Sequence, residues 1–311
     1  MNQSFKVSIF TFCLLIFSVV GCTSSHTPTP SKPHNASVTA PQPQSSPALP
    51  GNGEKPSEEI TKLMNRVGTI LESKSVNFDE FQKTYDGRLA TYVREVDAAY
   101  QTSLDKDVCQ AVEKLKTGKD KEANIETVVK SIQRAFIITF QKSLATLKKG
   151  PSEPSTLSKL LQAAPAARVV TQRRSLWLDK GTEFPDTFDA SLERLKKAVH
   201  EKNTSALAEA AGQLDFIFTK CLVLSVFFEL DGLVKERGKD ADEASGKRVE
   251  ASLYYASLRE GHEKRNKSAA ATISEQFTHS PGQIDVDLIR SLLKVDFKPE
   301  LADVDPSKLG S

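Results

Sequence analysis

The chain has 311 residues, 39% hydrophobic and 26% charged, and its 42 Lys and Arg nearly cancel its 40 Asp and Glu, leaving a formal net charge of +2. That balance offers no general electrostatic attraction to nucleic acid or to an anionic lipid surface. Four cysteines without a Cys-x-x-Cys, a Cys-x-x-Cys-His or a Cys/His cluster exclude a zinc ribbon, a thioredoxin-type dithiol and covalently attached haem.

Lys6 precedes an apolar run from Val7 to Val20, too short for a spanning helix. A charged start, an apolar centre and a small-residue exit are the parts of a secretory signal peptide, assigned here to residues 1–21. The exit, Val19-Val20-Gly21-Cys22, resembles the lipobox of bacterial lipoproteins. The resemblance implies that Cys22 is acylated with palmitate-like chains and becomes the mature N-terminus, so that the membrane is reached through lipid. In lipoproteins Asp after the acylated Cys marks retention in the inner membrane. Thr23 stands there, which implies an outer-membrane lipoprotein with its domain facing the periplasm or the cell surface.

Residues 22–56 are mostly Ser, Thr, Pro, Ala and Gln, cannot bury a core, and are expected to form a disordered linker. As a flexible coil such a segment spans about 30 Å.

Residues 57–294 carry helical periodicity nearly throughout. Apolar residues recur at three and four in Ile60, Met64, Val67 and Leu71, and again from Ile125 to Leu144. Further helices are expected for residues 78–100, 157–178, 184–200, 205–237, 240–259, 269–277 and 286–293. Breaks are expected at Gly118, Gly150-Pro151, Gly181, Gly238 and Pro281-Gly282. The fold class that follows is all-α: an antiparallel multi-helix bundle around a buried central helix, about 205–237, with residues 295–311 as an extended C-terminal tail. Leu214 to Leu230 is apolar on nearly every face, yet Asp215, Lys220 and Glu229 interrupt it too often for a membrane span.

Asp215 and Glu229 share a face of that helix, so both carboxylates are expected in an apolar interior. Arg173, Arg174 and Lys220 are the structural partners, with a ligand or metal site as the alternative. On the next helix Glu243, Lys247, Glu250 and Tyr254 fall on one stripe. Read structurally, this is a solvated face with an i,i+4 ion pair. Read functionally, Glu229, Glu243, Glu250 and Tyr254 form an all-oxygen metal site suited to ferric iron or another hard divalent or trivalent ion. Cys109 and Cys221 are a possible disulfide in an oxidising compartment, or Cys221 is an inert buried thiol. His200, His262 and His279 read as capping or surface groups. Tyr85, Tyr92 and Tyr100 read as core edge, and Trp177 as an amphipathic anchor.

Phe228-Glu229-Leu230-Asp231-Gly232, Glu243, Lys247-Arg248, Glu250-Ala251 and Tyr254-Tyr255 together resemble bacterial lipoproteins related to the periplasmic iron-assimilation and high-CO2-inducible proteins of algae. That resemblance, confined to residues 227–265, implies an extracytoplasmic helical protein that assists iron capture. The Gly-x-His-x-x-Glu signature of the imelysin-like proteins is not matched by Gly261-His262-Glu263. No GxSxG, Walker A, GxGxxG, HExxH or SxxK motif is present.

Function is therefore expected to be non-enzymatic. The first reading is a lipid-anchored protein whose helical domain binds a ligand, iron or another metal. The alternative is a helical scaffold that meets an envelope protein partner. Nucleic acid is not an expected partner.

Overall fold

The computed structural model describes residues 56–73, 75–150 and 154–310. The expected signal peptide, Cys22 and the expected linker as far as residue 55 lie outside the described residues, and Pro56, expected to end that linker, is the first residue of α1. Among the described residues every regular element is helical. In chain order they are α1 (Pro56–Glu72), α2 (Phe78–Thr84), α3 (Ala90–Tyr100), α4 (Leu104–Lys116), α5 (Lys121–Leu147), α6 (Pro154–Trp177), α7 (Glu183–His200), α8 (Thr204–Glu236), α9 (Ala241–Arg265), α10 (Lys267–Gln276), α11 (Val286–Asp296) and the single turn α12 (Lys298–Leu301).

Local chemistry explains most of the boundaries. The side chains of Asn77, Asn203, Asp240, Asn266 and Asp285 each accept a hydrogen bond from a first-turn amide, which satisfies donors that a helix start leaves without partners. Gly118 and Gly238 follow the ends of α4 and α8 with φ of 72° and 97°, a conformation that side-chain-bearing residues seldom adopt. The helix expected over residues 78–100 is divided. A π-turn over Tyr85–Leu89 joins α2 to α3, and Gly87 departs from helical geometry there (ψ −120°).

Helix α8 is the axis. From Lys220 to Phe227 every residue is buried, as an all-round apolar helix requires. It packs against α5, α6, α7, α9, α11 and α12. Each Leu or Phe taken fully out of water there contributes roughly 1.5–3 kcal/mol. The α6–α7, α7–α8 and α8–α9 connections are short and turn the chain back on itself. Helices α5 and α9 run parallel instead. Lys130 meets Tyr254, Gln141 meets the Ser257 carbonyl and Lys142 meets Glu260, so the two sequences advance together.

Two further expectations need correction. Residues 104–116, not assigned to any element from sequence, form α4, which buries Leu104, Val108, Ala111, Val112 and Leu115. The C-terminal residues are no extended tail either. Leu301, Val304 and Leu309 enter the core, and Lys294 Nζ donates to the Gly310 carbonyl. No helix of the described residues is long and apolar enough to cross a membrane.

Candidate functional site

The C-terminal half of α8, the first half of α9 and the first half of α5 enclose a cluster of charged side chains. Glu250 sits at its centre. Its Oε1 lies 2.7 Å from Lys130 Nζ and its Oε2 2.8 Å from Lys247 Nζ. Lys247 Nζ also reaches Glu229 Oε2 at 3.2 Å, while Lys130 Nζ donates to Tyr254 Oη at 3.2 Å and stands 3.9 Å from Glu126 Oε2. Lys130, Glu229 and Tyr254 are each 3% exposed and Glu250 is 5%. Glu243 is at the rim, 4.0 Å from Lys247 and half open to solvent.

The geometry of Lys247 depends on a glycine. A Cβ at position 232 would lie 2.8 Å from Lys247 Cδ, so Gly232 on α8 leaves the space through which the lysine stem reaches both carboxylates. Gly246 similarly admits Glu122 of α5, since a Cβ added at 246 would lie 3.2 Å from that of Glu122. The Asp242 carboxylate accepts from the Glu122 amide at 3.2 Å, which ties the start of α9 to the start of α5.

Burial disfavours charge on Glu126, Glu229 and Glu250, and the neighbours of each decide the outcome. For Glu250 the two ammonium groups overcome burial and hold the carboxyl well below its ordinary value. For Glu229 burial dominates, the Glu250 charge adds to it, and the carboxyl is pushed up to about 7. Glu126 is raised well above its ordinary value for the same two reasons. Lys130 and Lys247 are raised, because the facing carboxylates outweigh the burial that would discharge them.

Of the residues expected to ligate a metal, Glu229, Glu250 and Tyr254 are brought together and Glu243 is close by. Their oxygens are differently engaged from a metal site. Both oxygens of Glu250 point at lysines, and the Tyr254 hydroxyl meets Lys130. A cation placed among them would face two ammonium charges. Among the described residues no group of three or more His, Cys, Asp or Glu side chains is placed to hold a metal ion.

Other expectations are redistributed. Asp215 is exposed and pairs with Lys148 at 3.2 Å, so only Glu229 of that pair enters the core. Lys220 pairs with Asp303 of the C-terminal segment. Arg174 lies with its guanidinium carbon 4.1 Å from the Phe228 ring centre, and Trp177 meets Phe228 edge-on at 5.5 Å. Cys109 and Cys221 are both free. Cys109 is exposed on α4 whereas Cys221 is enclosed in α8, where burial pushes its thiol up to about 12, so the possible disulfide is not formed. Tyr85, Tyr92 and Tyr100 pack on the core as expected, with Tyr92 stacked on Phe136 at 4.3 Å.

His262 departs furthest from expectation. It is fully buried, with Nδ1 2.9 Å from Tyr255 Oη and Nε2 2.8 Å from Asp296 Oδ2. Arg265 pairs with Glu300 and Arg290 with Asp231 nearby. Together these contacts fasten α11 and α12 to α8 and α9. No protein-family model, curated protein or solved structure matches the chain.

Proposed function

We propose that this chain is a lipid-anchored envelope protein whose helical domain acts as a non-enzymatic scaffold for protein association. The anchor rests on the lipobox resemblance at Val19-Val20-Gly21-Cys22, and Thr23 favours the outer membrane. The observation that carries the choice of scaffold over metal binder is the pairing of both Glu250 oxygens with lysines, the buried Lys130 and the half-buried Lys247. An acid cluster neutralised from within contributes to the specificity of helix packing and leaves little to recruit an ion.

Two measurements test the reading. Radiolabelled palmitate should enter the protein and be lost in Cys22→Ala; labelling that persists would remove the anchor. Protein purified without chelator should hold no stoichiometric iron, manganese or calcium, and these ions should leave its melting midpoint unchanged. Bound metal that disappears in Glu250→Ala would overturn the scaffold in favour of the metal reading, since a ligand preferring the folded state must stabilise it.

A further inference from the structure

The N-terminal half of α8 leaves one ridge open. Ala208, Glu209, Asp215 and Phe216 are exposed and Gly212 and Thr219 are half-buried, whereas from Lys220 to Phe227 the helix is enclosed. Phe216 is 45% exposed, and it borders a groove of about 470 Å3 lined by Phe184, Ala208, Gly212 and Ile217 together with four charged side chains, Lys220 and Asp303 among them. A Cβ added at Gly212 would meet nothing within 4 Å. One helix thus presents an aromatic knob and, four and eight residues before it, a hollow floored by glycine and alanine. The open run, residues 204–219, is centred beside Gly212.

We infer that this ridge is an interface between two copies of the chain, with their α8 helices antiparallel across a two-fold axis at Gly212. Positions equally displaced from such an axis face each other, so Phe216 of each copy covers Ala208 of the other and both knobs find a hollow. Small residues at 208 and 212 allow the helix axes to approach at the near end of the usual 8–10 Å. The charges agree with this register. Glu209 falls opposite Asp215, beside which Lys148 and Lys149 line a second hollow, so two carboxylates meet two ammonium groups. The interface depends on these residues alone and not on the lipid anchor.

The test uses the full chain in detergent, in a Cys109→Ser background. Gly212→Cys places a thiol on the axis, and Lys197→Cys on the exposed face of α7 controls for random collision. We expect Gly212→Cys to yield a two-chain disulfide at least about tenfold faster than the control, because a docked thiol sees a high local concentration of its mate. The unsubstituted protein should sediment as two chains at about 50 µM, and Phe216→Asp should return it to one with its circular dichroism unchanged. A one-chain mass for the unsubstituted protein, a cross-linking rate no greater than the control, or a dimer that survives Phe216→Asp would each overturn the inference. The first two results are also those expected if a different protein or an amphiphile occupies the groove.

Discussion

Burial drives both Glu229 and Glu250 toward the neutral acid, and they part company because Glu250 meets two ammonium groups while Glu229 shares one. The consequences for stability have opposite signs. The Glu229 carboxyl, at about 7 when folded against an ordinary 4.5, holds its proton more tightly in the native state, so its contribution declines as pH rises across that window and is level above it. The slope is at most about 1.4 kcal/mol per pH unit for one proton. Glu250 contributes stability that is fully present above its ordinary value and is lost on further acidification. The urea midpoint should therefore fall between pH 5 and pH 7.5, and Glu229→Gln should flatten that fall; an equally steep profile in the variant would refute the assignment. Glu250→Gln leaves the buried Lys130 and the half-buried Lys247 short of a counter-charge and should cost about 3–5 kcal/mol by denaturant titration. The α9 side of this cluster was legible from the spacing of Glu243, Lys247, Glu250 and Tyr254. Glu126 and Lys130 were not, because both belong to a helix more than a hundred residues earlier and arrive only through the parallel docking of α5 on α9.

At the level of helices, two glycines inside long elements should respond oppositely to alanine. Gly261 of α9 is exposed and its added Cβ meets nothing within 4 Å, so Gly261→Ala should stabilise by about 0.5–1 kcal/mol through helix propensity. Gly232→Ala gains the same propensity but displaces the Lys247 stem from Glu229 and Glu250, and the net change should be destabilising. Thermal melts of the two variants give the comparison, and a stabilised Gly232→Ala would show that the lysine relocates without loss. Asp296→Ala removes the acceptor of His262 Nε2 and should cost about 1–3 kcal/mol, with faster amide exchange confined first to α11 and α12. The caps and the all-round apolar α8 could be read directly because each is written within a few consecutive residues. Helix α4 carries the same three-and-four spacing at Val108, Ala111, Val112 and Leu115, obscured by the charges of Asp105, Lys106 and Asp107. His262 was misplaced for another reason: its flanking charges describe the outer face of α9, while the ring points to Asp296 on an element packed against the inner one.

For the molecule as a whole, cell fractionation should place the unsubstituted protein in the membrane and Cys22→Ala in the soluble fraction, if lipid supplies the attachment. Equal membrane content in both would require another tether. Within the described residues, the order in which the elements occur along the chain has its own effect. Helix α8 ends at Glu236, but α9, α11 and α12, which lie against it, all come later. A ribosome at about 5–20 residues per second needs several seconds to deliver them. During that interval the most apolar stretch of the described residues is covered by α5, α6 and α7 alone, so the domain cannot close until the final helices emerge. A nascent chain arrested near Arg265 would remain a client for holding chaperones, and one kept extended for export would lose nothing by the delay.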